Sequence, residues 1–395
     1  MKAFFTSLGS RRAYAAGVLF WAYFVNGLAL IMLGALLPDL RAAYRLDYQR
    51  SGLLLSVQSV GFLLIGLLTG VLAVKLGLKR AYLLLFSFGT IGLCMLLTSG
   101  APRWLLAAMF FIGLTKGAVT DYHNRIISDY AHGSAQPLNL LHACFAVGAC
   151  LAPIVVLACK QAAGADGWRL ALLLSIALHL SVLALGAFMR LDPVQPRSAD
   201  AARSSFGFLR ERLFWQTTAI GFFYQAIEAS FVGWLTSYFL SLGVMSEGAA
   251  QLVTAVLWVS LLCGRFACAL AARRFPPFQM ILAMCVGILV CLCALLRSHT
   301  LPTLLLSTIG LGLCMSGMYG TSVANAGDTF SRYPVCMGLF VTLIALGATF
   351  APTAVGALAG AADDMRLGMS VLLAAAVPLL AAAVLNARYF RARRD

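Results

Sequence analysis

Apolar residues occur along this sequence in long runs, and the polar residues are gathered in short intervals between those runs. The hydrocarbon core of a bilayer is about 30 Å thick and offers no hydrogen-bond partner to a peptide group, so a run of about 20 apolar residues predicts a membrane-spanning helix. Twelve runs meet this condition, at 15–38, 51–73, 81–99, 103–128, 138–160, 169–189, 214–241, 248–271, 278–297, 301–326, 335–361 and 366–388. The pattern therefore predicts an all-α polytopic membrane protein with twelve transmembrane helices.

The one long polar interval, residues 190–213, divides the twelve runs six plus six. Two sequence repeats indicate that the halves are related. Residues 145–153 match residues 344–352 at five of nine positions, and the basic segment 70–80 is matched by 264–274 at the equivalent place of the second half. Together the repeats predict two pseudo-symmetric six-helix bundles.

Lysine and arginine residues of short loops are retained on the cytoplasmic side of a membrane, so their distribution orients the chain. If both termini are cytoplasmic, 20 of the 29 Lys and Arg residues lie in cytoplasmic segments, eight lie outside, and Lys116 lies within the membrane. This asymmetry predicts a multi-pass protein of a bacterial-type inner membrane. The expected segments are a cytoplasmic N-terminus at 1–14, bundles at 15–189 and 214–388, a cytoplasmic central loop at 190–213 and a cytoplasmic C-terminus at 389–395.

Composition excludes several classes of protein. Hydrophobic residues make up 61% of the 395 residues and charged residues 11%, whereas a soluble domain has about a quarter charged residues. A soluble enzyme and a disordered chain are therefore excluded. The net charge of +15 is explained by loops at one membrane face, so no nucleic-acid partner is expected.

Motifs of catalysis and metal binding are missing from the sequence. The eleven cysteines lie in apolar runs without a Cys-x-x-Cys pair, which predicts buried thiols and no metal centre. There is no Walker-type phosphate loop, no His-Glu-x-x-His and no Gly-x-Ser-x-Gly. We expect neither an enzyme nor an ATP-driven pump, and no cofactor. A membrane enzyme with an unfamiliar intramembrane site and a transport-inactive receptor of the same fold remain as alternatives.

The chain resembles the major facilitator superfamily over essentially its whole length. The resemblance rests on the six-plus-six layout, on the basic turn at 70–80 and on Gly167-Trp168-Arg169 at the start of the sixth run. The commonest form of that turn has an Asp where this chain has Val74. The resemblance implies two bundles that rock about a midplane site lined by helices one, four, seven and ten. It implies a gating role for the basic turns, at Gly70, Lys79, Arg80 and Arg265.

A narrower resemblance is to the fucose–proton symporter and related sugar transporters. It rests on residues 139–148, on residues 224–228 with Trp234 and Tyr238, and on residues 264–276. That branch often lacks the same Asp after the second helix. Its fourth helix tends to have a carboxylate shortly before an Asn; here Asp121 precedes Asn124, whereas the usual acidic position falls nearer Thr120. The resemblance implies a sugar-like solute that moves with a proton.

Three ionisable side chains stand out in the predicted spans that the resemblance places around the cavity: Lys116, Asp121 and Glu228. A charge at the bilayer centre costs a few kcal/mol, so each needs an explanation. Glu228 shares a helical face with Tyr224 and Gln225. It is the expected proton-coupling and substrate-binding residue, and the alternative is a Glu that only hydrogen-bonds a neighbouring helix.

The fourth span places its polar residues on different faces. At 100° per residue, Thr120 and His123 lie near Lys116, whereas Asp121 lies about 140° away. Lys116 is expected either to contact an anionic substrate or to form an ion pair with Glu228. Asp121 is expected to pair with Arg125 at i, i+4, and it is the rival candidate for proton coupling.

Uncharged polar residues complete the candidate site. Substrate contact is expected from Tyr23, Asn26, Gln225 and Tyr319, although polar side chains also hold helices together. Trp234 and Tyr238 are assigned to the interfacial aromatic belt, and His142 to helix packing rather than to a proton relay.

These features favour a monomeric secondary transporter of a small polar, sugar-like solute, driven by protons. The solute, the proton and the lipid bilayer are its expected partners. A transporter of a small organic anion, which Lys116 would suit, is the main alternative. A drug efflux antiporter is the third.

The charge distribution makes a prediction about topology. A cysteine introduced by Asp200→Cys in the central loop should react with a membrane-impermeant maleimide only when the cytoplasmic face is accessible. Labelling in inverted vesicles and in intact cells measures this. Reaction in intact cells would reverse the predicted orientation and the assignment of every loop.

Overall fold

A computed structural model describes residues 2–131, 136–192, 206–333 and 336–392, and throughout these ranges the chain is helical, without a strand. The first half contains α1 (Lys2–Ser7), α2 (Ser10–Ala35), α3 (Leu37–Tyr44), α4 (Tyr48–Leu76), α5 (Leu78–Thr98), α6 (Pro102–Ala131), α7 (Gln136–Ala163) and α8 (Gly167–Phe188). The second contains α9 (Arg212–Ser241), α10 (Glu247–Ala271), α11 (Pro277–Arg297), α12 (Leu301–Met315), α13 (Met318–Asn325), α14 (Gly327–Arg332), α15 (Cys336–Ala362), α16 (Met365–Met369) and α17 (Val371–Arg391).

The predicted spans each correspond to a helix or to a broken helix. Within the described ranges, nine stretches are long and apolar enough to cross a membrane, or ten if α4, which bends by 54°, is one span. One of the nine, 136–188, contains both α7 and α8. Helix α9 is not among them, and adding it accounts for all twelve predicted spans. The predicted loop residues 193–205 lie outside the described residues.

The first compact unit comprises Met1–Leu46 and Val57–Pro196. Inside it α2 packs so closely along α7 that a Cβ at Gly148 would overlap the carbonyl oxygen of Phe24. Reciprocally, a Cβ at Gly27 would overlap the carbonyl oxygen of Phe145. Helices gain little hydrophobic free energy from one another in lipid, so their association depends on such small-residue contacts.

The second compact unit comprises Asp47–Ser56 and Arg197–Asp395. Here α15 packs along α9, and a Cβ at Gly347 would overlap the carbonyl oxygen of Phe222. Gly148 and Gly347 are equivalent residues of the repeat seen in the sequence. The repeat therefore has a structural meaning, because the first and fifth helices of each half meet through the same glycine.

The first turns of α4 pack with the second unit, although the sequence places this helix in the first half. A Cβ at Gly52 would overlap the carbonyl oxygen of Pro352. The hydroxyl of Thr353 also donates a hydrogen bond of 2.7 Å to Ser56 Oγ. Sequence order therefore does not decide with which bundle each turn of a helix packs.

The tenth predicted span is broken, because α12 ends at Met315 and α13 begins at Met318. Space is tight beside the break: a Cβ at Gly317 would overlap the sulfur of Cys268, and a Cβ at Gly264 would overlap Ser316 Oγ. Ser316 Oγ donates a hydrogen bond of 2.8 Å to the Leu313 carbonyl. The break leaves carbonyl groups at the end of α12 that need other donors.

The glycine contacts predict the effect of single methyl groups. Gly148→Ala should lower the free energy of unfolding by about 1–3 kcal/mol, because the added carbon overlaps a backbone oxygen that cannot move alone. Gly17→Ala is the matched control, since no atom lies within 4 Å of a Cβ there. Thermal unfolding of the purified protein in detergent measures both. Equal midpoints for the two variants would contradict close packing of α2 on α7.

Candidate functional site

A cluster of polar side chains lies inside the first unit, where α2, α6 and α7 meet. The hydroxyl of Tyr23 is 3.5 Å from Nδ1 of His142, and Nε2 of His142 is 3.0 Å from Oδ1 of Asn124. An amide oxygen only accepts, so Nε2 bears the hydrogen and Nδ1 of the neutral ring accepts from Tyr23. The ring of Tyr23 also packs on Phe145, with centroids 5.5 Å apart.

A second histidine extends this cluster toward α5. The ring of His123 lies 5.2 Å from that of Tyr23, and its Nε2 is 3.4 Å from the hydroxyl of Tyr82. Its Nδ1 faces the Val119 carbonyl, and the side chain is fully buried. Its hydrogen bonds therefore join α6 to α5, whereas the sequence only grouped it with Lys116.

Asp121 faces α4. Gly113, Gly117 and Asp121 recur every fourth residue of α6, and a Cβ at either glycine would overlap atoms of α4. This close approach brings Oδ2 of Asp121 to 3.0 Å from the hydroxyl of Thr69, which donates to it. In the described ranges the carboxylate makes this bond instead of the expected ion pair with Arg125.

Lys116 is half-buried, and its amine lies over an aromatic ring of α4. Nζ is 5.3 Å from the centroid of Phe62, an arrangement that stabilises a cation by about 0.5–2 kcal/mol. The backbone carbonyl of Lys116 accepts a hydrogen bond of 2.8 Å from the Thr120 hydroxyl. The hydroxyl hydrogen of Thr120 is therefore bonded within α6.

Asn26 differs from its neighbours in α2. Its side chain is 3% exposed, and within the described ranges its Nδ2 has no hydrogen-bond partner. A buried amide without a partner costs about 1–3 kcal/mol, and a role for Asn26 in substrate contact stays a prediction.

The second unit contains a separate polar centre around Glu228. Tyr224, one turn earlier on α9, donates a hydrogen bond of 3.0 Å to the Met315 carbonyl at the break after α12. The same hydroxyl interacts with the carboxyl of Glu228, and Arg265 of α10 lies within electrostatic range. The helical face that contains Tyr224 and Glu228 therefore lies against the Met315 carbonyl at the end of α12.

The other candidates of this unit lie on α9 and α13. Gln225 and Glu228 are half-buried on α9. Tyr319 is 43% exposed on α13, and its ring centroid lies 6.2 Å from that of Phe340 on α15. Their role as substrate contacts stays a prediction.

Two aromatic residues assigned to the interfacial belt are instead fully buried. The indole of Trp234 donates a hydrogen bond of 3.1 Å to the Pro352 carbonyl. The hydroxyl of Tyr238 donates one of 3.2 Å to the Leu295 carbonyl. The belt assignment was wrong, because position along a helix does not tell which side chains face its neighbours.

The basic turns of the two halves have different surroundings. Gly70 has no atom within 4 Å of a Cβ, and the turn itself is made by Gly77 with φ of 79°. Lys79 donates to the carbonyl of Ala187 in the last turn of α8, while Arg80 and Arg265 are exposed. A gating role for these residues stays a prediction.

The sequence did not single out a buried chain of amides in the second unit. Asn325 donates 2.9 Å to Oδ1 of Asn386, whose own Nδ2 lies 3.5 Å from Oε1 of Gln216. All three amides occur within predicted spans. Their position within apolar spans could have identified them as candidates. The contact between the three amides depends on how α9, α13 and α17 pack, which the sequence does not give.

Comparison with known families decides the class of protein. A profile of the Major Facilitator Superfamily matches residues 19–299, well over half of the chain. The chain belongs to the major facilitator superfamily. It is therefore a membrane transporter and not an enzyme. A comparison with curated protein sequences finds no match.

Solved structures of transporters have the same fold at low sequence identity. A bacterial homolog of the human lysosomal transporter Spinster is 14% identical with a TM-score of 0.76, over 96% of this chain and 98% of that one. A D-xylose–proton symporter is 15% identical with a TM-score of 0.77, over 95% and 97%. The E. coli fucose–proton symporter (N162A) is 16% identical with a TM-score of 0.64, over 95% and 99%. These likenesses confirm the twelve-helix fold.

Proposed function

We propose that this transporter is secondary active, moves a small polar, sugar-like solute, and is coupled to protons through Glu228. The observation that supports this most is the contact of Glu228 with Tyr224 beside the break between α12 and α13. Glu228 is an intramembrane carboxyl beside a helix break. The hydrogen bonds that its neighbour Tyr224 can make depend on whether the Glu228 carboxyl is protonated. That is the property a coupling site needs.

The hydrogen of the Tyr224 hydroxyl explains the dependence. A phenol has one hydrogen, and Tyr224 uses it on the Met315 carbonyl. The phenol oxygen can then accept a hydrogen bond from a protonated Glu228, whereas an ionised Glu228 needs that hydrogen for itself. When Glu228 loses its proton, its carboxylate therefore competes with the Met315 carbonyl at the end of α12 for the hydrogen of Tyr224.

The first unit supports the choice of a hydroxyl-rich solute. Tyr23, His142 and Asn124 offer neutral donors and acceptors within one hydrogen-bonded cluster, and Asn26 has an unused donor. Such groups suit hydroxyls, which both donate and accept. The xylose and fucose transporters that share the fold are proton symporters, which also favours this class.

The same proposal includes an inner-membrane location with both termini cytoplasmic and a monomeric state. The basic residues of the first unit favour this orientation. Lys79 reaches the end of α8, and Arg12 at the start of α2 pairs with Asp192. These contacts place the basic ends of α2, α5 and α8 on one side of the unit.

The second candidate is a transporter of a small organic anion, which the placement of Lys116 favours. Its amine is half-buried over Phe62, and one ammonium group in a low-dielectric setting suits one carboxylate.

Replacement of the Glu228 carboxyl tests the coupling. Glu228→Gln mimics the protonated state, so uphill accumulation should be lost while solute exchange by counterflow is retained. Both are measured in proteoliposomes with and without a pH gradient. Loss of exchange as well would show a carboxylate that only binds solute. Full accumulation would show that Glu228 is not the proton carrier.

Two further variants control this experiment. Asp121→Asn should keep uphill accumulation. If accumulation is lost in Asp121→Asn but kept in Glu228→Gln, the coupling residue is Asp121 on α6. Tyr224→Phe should shift the pH dependence of accumulation, because the partner of Glu228 is removed. Tyr238→Phe is its match on the same helix, since it also removes one hydrogen bond to a carbonyl. It should cost about 1 kcal/mol of stability without moving the pH profile.

Neutralisation of Lys116 separates the two candidate substrates. If the solute is an anion, Lys116→Gln should abolish its binding in a thermal-shift assay while the protein stays folded. If Lys116 only balances Glu228, the single variant should lose expression and Lys116→Gln/Glu228→Gln should recover it. That recovery would reject the organic-anion hypothesis, and an unaltered affinity for sugars in Lys116→Gln would support the sugar-like solute.

A further inference from the structure

A basic cavity lies at one end of the first unit, where α2 begins and α8 ends. It has a volume of about 230 Å³ and is lined by Ser10, Arg11, Tyr14, Phe188 and Arg190. No acidic residue is among its lining residues. These arginines contribute to the charge asymmetry that orients the chain, and neither is a candidate for solute or proton binding.

Two guanidinium groups, of Arg11 and Arg190, line this cavity. In the described ranges neither Arg11 nor Arg190 pairs with a carboxylate. The adjacent Arg12 differs, because it donates 3.0 Å to Asp192 and lies over the ring of Tyr130 at 5.6 Å. Like charges that line one cavity repel each other, so an anion between them relieves the repulsion.

The walls of the cavity are held in place by a contact between two long helices. The hydroxyl of Tyr14 donates 2.9 Å to the carbonyl of Leu185, which joins α2 to the last turn of α8. Ser10, Arg11 and Tyr14 are therefore held on α2 and Phe188 on the end of α8, and Arg190 follows two residues after that end. Ser10 adds a hydroxyl donor from the first residue of α2.

An apolar surface continues directly from the charged one. Phe188, the last residue of α8, is 78% exposed and borders the cavity. Since α8 spans the membrane, its end lies at the depth of the lipid headgroups, where an exposed aromatic ring meets acyl chains. A ligand that joins one anionic group to a hydrocarbon chain matches both surfaces.

The neighbouring basic residues favour an anionic leaflet. Lys79 contacts the last turn of α8, so the turn between α4 and α5, with Arg80, lies at the same end of the unit. Clusters of Lys and Arg at the ends of spans attract anionic lipids, by about 1 kcal/mol for each residue near the surface.

We propose that this cavity is a phosphate-group site that binds the phosphodiester of an anionic phospholipid. Arg11 and Arg190 hold the phosphate from two sides, as guanidinium groups do through paired N–H donors. The acyl chains of the lipid lie along Phe188. This site is independent of the solute and of the coupling ion.

Native mass spectrometry of the purified protein, titrated with phosphatidylglycerol or phosphatidylcholine, tests the proposal. Arg11→Gln/Arg190→Gln should weaken binding of the first phosphatidylglycerol by about tenfold or more, given the charge contribution of two arginines. Binding of phosphatidylcholine should not change. Equal phosphatidylglycerol affinity in the double variant and the parent protein would overturn the site.

Further variants keep the result interpretable. Arg12→Gln removes an adjacent, paired arginine and should change the lipid affinity by no more than about twofold, as expected for an exposed pair. Arg11→Lys/Arg190→Lys retains the charges and should retain most of the selectivity, even if the Gln variant folds poorly. A loss in Arg12→Gln equal to that in the double variant would show general charge attraction and overturn the site.

A soluble probe separates the two sources of phosphate. Inorganic phosphate should compete weakly with phosphatidylglycerol, because it lacks the chains that contact Phe188, and Phe188→Ser should weaken the lipid only. Equal competition by inorganic phosphate, with no effect of Phe188→Ser, would mean a site for free phosphate and would overturn the lipid assignment.

Discussion

The rest of this structure depends on contacts between helix backbones at glycine. In lipid, helices are not driven together by burial of apolar surface, so close packing and a few polar bonds must hold them. The packing of Gly148 on Phe24 and of Gly347 on Phe222 brings the first and fifth helices of each half together. Gly113 on α6 similarly meets the Gln58 backbone of α4. A single added methyl group at such a point would overlap backbone atoms of the neighbouring helix.

Those close contacts decide which polar groups meet. The glycine face of α6 brings Asp121 to Thr69, and the packing of α9 beside the end of α12 brings Tyr224 to the Met315 carbonyl. A buried polar group is costly without a partner, and for Asp121 and Tyr224 the partner is supplied by a neighbouring helix. Each unit consequently has its own polar centre, and both centres join neighbouring helices.

The ends of the helices serve another purpose. Side chains such as Tyr14 and Lys79 donate to carbonyl groups of the last turns of α8, which are the groups that a helix cannot satisfy itself. Arg11 and Arg190 lie beside these helix ends and line an exposed basic cavity.

The sequence alone determined the helical class, the number of spans and the repeat, because these depend on the length of apolar runs and on residues close along the chain. It also identified Glu228 and Lys116 as charges within spans. Only the tertiary structure decided that Trp234 and Tyr238 are buried, that Asp121 bonds to Thr69 rather than to Arg125, and that α12 ends before α13. These outcomes depend on which faces of distant helices meet, and helical periodicity places a residue on a face without telling what lies opposite it.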